Sequence, residues 1–163
     1  MLSALTAIHV LISLIAIATG FAVVLGFLKS KSQPGLTNTF LVTTWLTSLT
    51  GFLFPFHGVT PGIIFGVLSV IVLAIAQWAR RRDQASHTLS RTFAVCSVIA
   101  LYFNTFVLIA QSFQKVPALH ALAPTQSEPP FAIAQACLLG MFVVLGIRSA
   151  KSAASRPRLA PNV

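Results

Sequence analysis

Five long apolar stretches separated by short polar or basic segments dominate the chain. Each stretch approaches or exceeds the roughly 20 residues that an α-helix needs to cross the hydrocarbon core of a bilayer. Charged clusters, prolines or glycine turns interrupt the pattern between them, as is typical of membrane helices. The pattern therefore predicts an all-α transmembrane bundle of five helices within residues 1–148, at about 2–28, 38–54, 61–79, 92–114 and 130–148.

The basic residues predict the orientation of this bundle. Ten of the eleven lie in the first and third loops or after the last helix, whereas the second and fourth loops together hold only Lys115. Because basic loops stay in the cytoplasm, we expect the N-terminus outside and the C-terminus inside. Residues 149–163 form a small, polar and basic segment, which we expect to be a disordered cytoplasmic tail resting on anionic lipid.

Composition supports the membrane assignment and weakens another explanation of the charge. The chain is 56% hydrophobic and 8% charged, whereas soluble domains are about a quarter charged. Its net charge of +9 is divided among short clusters between apolar stretches, without the aromatic-interleaved basic face that follows a phosphate backbone. We therefore expect the lipid bilayer as the surrounding partner and no nucleic acid.

A polar face on the fourth helix is the first candidate site. Asn104, Gln111 and Lys115 are seven and four residues apart and so share one side of the helix. If Lys115 marks the outer end, Asn104 lies about 16 Å deeper, where an unpartnered amide is costly. Gln135 on the fifth helix is a possible partner. The face predicts either hydrogen bonds between helices or a polar pocket open to the outside.

The fourth loop adds two residues to this outer-face candidate. Lys115 and Glu128 bracket the loop, each with the charge that suits its helix end, and they could also pair with each other. Glu128 is the single acidic residue expected on the outer side, which makes it a candidate for a proton or cation contact. The complete candidate site consists of Asn104, Gln111, Lys115, Gln126 and Glu128.

Three histidines are also expected near the outer side: His9, His57 and His120. Histidine is a common metal and haem ligand, although these three form no recognised ligand motif. They therefore leave two alternatives, a metal or haem site and ordinary interface residues. Cys96 and Cys137 are predicted about 15 Å apart in depth, too far for a disulfide, and are expected to be small buried side chains.

Small and hydroxyl residues on the second and third helices predict close helix packing. Thr43, Thr47 and Thr50 recur on the second helix, and Gly62 and Gly66 open the third. Such residues let membrane helices approach closely and hydrogen-bond across the contact. The alternative is a polar lining for a solute path.

Three segments resemble a group of small bacterial multi-helix integral membrane proteins of unknown function. They are Thr47 to Phe56 (TSLTGFLFPF), Ala100 to Leu108 (ALYFNTFVL) and Gln111 to Phe131. The last of these contains the sequences KVP at 115–117 and APTQSEPPF at 123–131. The resemblance covers most of helices two to five. It implies a multi-pass protein of the bacterial inner membrane and brings no activity, cofactor or site residue with it.

The sequence lacks the clustered carboxylates, nucleophile–base pairs, phosphate loop and spaced metal motif that announce an enzyme, and so favours a non-enzymatic role. We expect an accessory or interaction component whose outer face contacts a membrane-protein partner, a second copy of the chain or lipid. One alternative is a redox bundle holding haem, a metal or a quinone near the outer face, with Tyr102 nearby. The other is a small-solute or ion pathway past Thr43, Asn104 and Glu128.

Overall fold

The computed structural model describes residues 2–54, 61–82 and 86–155. Within these ranges the chain forms six α-helices and no strand. They are α1 (Leu2–Leu28), α2 (Pro34–Gly51), α3 (Pro61–Arg80), α4 (His87–Lys115), α5 (Pro117–Leu122) and α6 (Pro129–Ala154). The all-helical prediction is confirmed, but the described chain contains six helices rather than five.

Helix α4 occupies the centre of the bundle. It contacts α1, α3, α5 and α6, while α2 packs mainly against α1 and less extensively against α3. The best-buried side chains of the core lie where α1, α2, α3 and α4 meet, and they include Val24, Phe40, Leu73 and Leu101. Because so many neighbours pack on α4, the polar residues in its middle, Ser97, Asn104 and Thr105, are buried against protein.

Four of the helices are long and apolar enough to cross a membrane: α1, α3, α4 and α6. Much of their apolar surface points away from the bundle, as at Leu11, Ile71 and Ile133. Such extensive apolar exposure is expected of helices that face lipid and is rare on proteins surrounded by water. The structure therefore supports a multi-pass membrane protein.

Helix α2 differs from these four because no stretch of it is long and apolar enough to be counted with them. Asn38 and a series of threonines lower its hydrophobicity, and part of its buried face is itself polar, with Thr37, Thr44 and Ser48. Many of its hydroxyls donate to carbonyl oxygens one turn earlier, as Thr44 does to Phe40 at 2.7 Å. These bonds use the hydroxyl protons within the helix and leave the oxygen lone pairs for contacts with other helices.

Several predicted helix boundaries were wrong, because local capping and helix propensity override the limits of the apolar stretches. Helix α2 begins at Pro34, a residue type suited to the first turn, and ends at Gly51 rather than 54. Helix α4 begins at His87, where the Ser86 side chain accepts a hydrogen bond from Thr88 N at 3.2 Å. The six-residue helix α5, between Val116 and Ala123, was not predicted.

Helix α6 continues six residues beyond the predicted end at 148, so the first part of the expected tail is helical. Ser149 and Ala153 are buried, and the Ser152 hydroxyl donates to Phe27 O at 2.6 Å at the end of α1. The small residues of this turn allow close contact with α1, which stabilises a helix that hydropathy alone would end earlier. Residues 156–163 of the predicted tail lie outside the described residues.

Candidate functional site

Asn104 lies between α4 and α2 and retains only 9% of its accessible surface. Its side-chain Nδ2 donates to Thr44 Oγ1 at 3.5 Å. The two residues are buried, so this contact links two helices inside the bundle and gives Asn104 a partner where an unsatisfied amide would be costly. The geometry favours the interhelical hydrogen bond among the two alternatives that the sequence left open for this face.

Gln135 does not bind Asn104, the partner considered from the sequence. Its Nε2 donates instead to the backbone oxygen of Phe106 on α4 at 3.3 Å, while its Oε1 is buried without a partner. A carbonyl in the middle of a helix accepts a second hydrogen bond easily, since it has two lone pairs. Gln135 therefore links α6 to α4 independently of the link between α4 and α2.

Gln126 connects the segment between α5 and α6 to the side of α4. Its Nε2 donates to Ala110 O at 2.6 Å, and its Oε1 accepts from Gln114 Nε2 at 3.3 Å. Its backbone has a positive φ of 60°, a conformation unusual outside glycine and asparagine. These two bonds hold a strained turn in place, which is a structural role for this candidate residue.

Glu128 precedes α6 and closes the same turn. Its Oε1 accepts hydrogen bonds from Thr125 N at 3.1 Å and Thr125 Oγ1 at 2.9 Å, and its Oε2 accepts from Ser127 N at 3.1 Å. Desolvation opposes ionisation, but the hydrogen bonds from Thr125 and from backbone N–H groups outweigh it and lower the pKa of Glu128. Its carboxylate thus binds its own loop and not Lys115.

We call the segment from Val116 to Glu128 the outer connection. It presents an apolar surface although polar side chains fix its shape. Helix α5 contains no buried residue, and Val116 and Leu122 are 44% and 56% exposed. Gln111 and Lys115 are also exposed on the adjoining turns of α4. The five candidate residues therefore divide between the core, the outer connection and the surface beside it, and they do not form one pocket.

His9 links α1 to α2 near the predicted outer end. Its Nδ1 lies 2.8 Å from Thr50 Oγ1, and the Thr50 hydroxyl donates to Leu46 O at 2.7 Å. If the Thr50 proton stays in that bond, His9 Nδ1 is the donor to Thr50 and Nε2 carries the free lone pair. The edge of the ring also meets Phe54, with 5.3 Å between centroids.

The structure describes two of the three candidate histidines, His9 and His120. His120 is exposed on α5, and His57 lies outside the described residues. In the part of the chain that the structure describes, no group of three His, Cys, Asp or Glu residues could hold a metal ion. Both cysteines are free; Cys96 is buried, but Cys137 is exposed on the outer side of α6, contrary to the expectation that both are buried.

Close packing explains Gly66, whereas the threonines do not line a visible path. The ring of Phe52 lies so near Gly66 that a Cβ there would be 3.0 Å from Phe52 Cζ. Thr43 and Thr47 donate to carbonyl oxygens of their own helix at 2.7 and 2.9 Å. Sequence reasoning missed the roles of Thr44 and Thr125; the ThrGlnSerGlu spacing of residues 125–128 was a usable signal for the turn.

No protein family, curated protein or solved structure matches this chain. The geometry described above therefore carries the functional argument by itself.

Proposed function

We propose that this chain is a bacterial inner-membrane protein that crosses the bilayer five times, with its N-terminus outside, and serves as an accessory or interaction component. The apolar exteriors of α1, α3, α4 and α6 support membrane insertion. The distribution of Lys and Arg supports the orientation. Helix α2 supplies the remaining crossing, since its 18 residues extend about 27 Å at 1.5 Å per residue.

The outer connection carries the interaction part of this proposal. Gln126 and Glu128 use their polar atoms to fix its backbone, while Val116 and Leu122 remain exposed beside Lys115. A rigid segment with exposed apolar side chains binds a partner at a low entropic cost, because little order has to be created on binding. We assign it to contact with a membrane-protein partner, which includes a second copy of the chain.

Site-specific photocrosslinking tests this assignment. A benzophenone amino acid replaces Val116, and the protein is irradiated in native membranes. We expect one protein adduct of defined mass, identified by mass spectrometry, and its loss in a second variant that carries Leu122→Ser. The matched control is Leu139→Ser, which changes an equally apolar exposed residue on α6 and should leave the adduct unchanged. Crosslinks to lipid alone, or substrate turnover by the isolated protein, would contradict the proposal.

Reporter fusions test the number of crossings. A reporter placed after Ser32 should report the cytoplasm, and one placed after Gly58 should report the outside, because α2 lies between them. A fusion after Val163 should again report the cytoplasm. If the first two reporters lie on the same side, α2 does not cross and the five-crossing arrangement is wrong.

A cofactor-binding bundle is the second candidate, and the orientation of His9 favours it. Metal-bound histidines usually donate their other ring N–H to a neighbouring group, and Thr50 Oγ1 lies 2.8 Å from His9 Nδ1, in position to accept such a bond. The free Nε2 is then the nitrogen that would bind haem iron or another metal. Optical spectra and metal analysis of protein purified from iron- and haem-supplied cells test this: a Soret band or bound metal should disappear in His9→Ala and persist in His87→Ala. A colourless, metal-free protein would exclude the histidine site.

A further inference from the structure

A cavity of about 100 Å³ lies at the end of the bundle opposite the outer connection. The C-terminal ends of α1, α3 and α6 and the N-terminal ends of α2 and α4 meet there. Its apolar wall includes Val23, Phe27, Phe93 and Ala153, and its polar side includes Lys31, Ser32, Gln33, Thr37, Arg80 and Ser90. Its volume equals about three water molecules, which suits one small polar group.

Two basic residues from separate elements line this cavity. Lys31 belongs to the connection between α1 and α2, and Arg80 ends α3, with its guanidinium carbon 6.0 Å from the centre of the Phe93 ring. Stacking on that ring restrains the guanidinium beside the cavity and lowers the entropy cost of binding an anion. Tertiary packing thus brings together two basic residues that are 49 positions apart in the sequence.

Acidic side chains are rare in this chain, which contains two, Asp83 and Glu128. Glu128 is occupied in the outer connection, at the far end of α4, and Asp83 lies outside the described residues. Among the residues that the structure describes, no carboxylate lines the cavity.

Gln33 contributes a neutral amide side chain to the wall of the cavity. Its side-chain Oε1 is buried without a hydrogen-bond partner. A buried acceptor in this position is costly unless a donor reaches it. The Oε1 is directed toward α1, where a Cβ on Gly26 would lie 3.0 Å from it, so this amide packs against α1 and shapes the wall of the cavity.

We propose that this cavity binds the phosphate group of an anionic glycerophospholipid, with Lys31 and Arg80 as the phosphate contacts. The basic end of the bundle is where the lipid headgroups of the cytoplasmic leaflet would lie. Phosphate oxygens suit the fork of an arginine and the point charge of a lysine. This assignment is a defined site for one lipid, distinct from diffuse attraction of the basic surface.

Native mass spectrometry of the delipidated full-length chain tests the proposal, with phosphatidylglycerol as the probe and diacylglycerol as the lipid without phosphate. We expect one phosphatidylglycerol to bind and diacylglycerol not to bind. The variant pair is Lys31→Gln with Arg80→Gln; the matched control is Lys29→Gln with Arg81→Gln, which removes the same charge from exposed residues outside the cavity. The first pair should weaken binding roughly tenfold or more and the control pair less than about twofold.

Three outcomes would overturn the proposal. Equal weakening by both pairs would show diffuse electrostatic attraction. Displacement of the lipid by inorganic phosphate at equal concentration would show a site for the free anion. Equal binding of diacylglycerol would show that the phosphate is not recognised. Thermal unfolding of each variant confirms that it is folded.

Discussion

Gly20 of α1 lies against side chains of both α2 and α4. A Cβ at this position would be 2.6 Å from Leu101 Cδ1 and 2.8 Å from Phe40 Cε2. Both neighbours are completely buried, so they have little room to move aside. The residue is therefore a requirement of packing, and its absent side chain sets the spacing of three helices.

Gly20→Ala should lower the free energy of unfolding by about 1–3 kcal/mol, because the new methyl group overpacks a filled core. Gly140→Ala is the matched control, since nothing lies within 4 Å of a Cβ at that position of α6. The control should be neutral or stabilising, as alanine favours a helix over glycine. Reversible unfolding in mixed detergent micelles measures the free energy of unfolding of both variants. Equal stability of the two variants would contradict the packing argument.

Glu128 should titrate below its ordinary pKa of 4.5, because the hydrogen bonds from Thr125 and Ser127 favour the carboxylate. Its folded pKa lies below its unfolded pKa, so its stabilising contribution is complete above 4.5 and is lost as the pH falls through the lowered value. Glu128 is the single glutamate of the chain, and carbon NMR of selectively labelled protein follows its carboxyl directly.

Substitutions at Thr125 identify the cause of this shift. Thr125→Ala removes the hydroxyl that donates to Glu128 and should raise the titration midpoint toward the ordinary value. Thr125→Ser retains the hydroxyl and should leave the midpoint low. A midpoint at or above 4.5 in the unaltered protein would contradict the hydrogen-bonding explanation.

At the scale of elements, the outer connection is more ordered than a link between two antiparallel helices requires. It contains the short helix α5, a turn with positive φ at Gln126 and a cap closed by Glu128. Ala123, which directly follows α5 in the outer connection, is fully buried, whereas α5 itself contains no buried residue. The connection therefore folds around a few specific bonds and not around an apolar core of its own.

Gln126→Gly should loosen the outer connection while preserving its backbone path, because glycine adopts a positive φ freely. The variant loses the bonds to Ala110 and Gln114, and if these contribute about 1.4 kcal/mol, amide exchange across residues 116–128 should become roughly tenfold faster. Gln114→Ala removes just the longer bond and should have a smaller effect. Unchanged exchange in Gln126→Gly would show that other contacts hold the segment.

At the scale of the whole molecule, the bundle is incomplete as a water-soluble body. In the apolar 18-residue stretch of α4, 44% of the residues are buried inside the protein. In the corresponding stretch of α6, 17% are buried. The remaining apolar surface requires lipid or another protein around it. The exposed side of α6 includes Cys137, which reports directly on these surroundings.

Cys137 should not react with a water-soluble maleimide in intact membranes, since it lies about 12 Å along α6 from Pro129 and faces the bilayer. Cys137 and buried Cys96 should both react once the protein is unfolded in denaturing detergent, because the reactive thiolate forms in contact with water. Cys137→Ser identifies the modified residue by mass spectrometry. Rapid reaction of Cys137 with the water-soluble reagent would place α6 in contact with water and remove it from the membrane-spanning set.

The sequence by itself determined the helical class, the long apolar helices and the division of basic residues between two ends, because these follow from composition and periodicity along one chain. It did not determine the partner of Asn104, the bonding of Gln126 or the extension of α6 to Ala154, because each depends on residues from another element. The cavity between Lys31 and Arg80 is the clearest case, since five helix ends must meet to form it. Hydropathy measures the affinity of a segment for lipid, whereas tertiary packing decides which polar atoms meet.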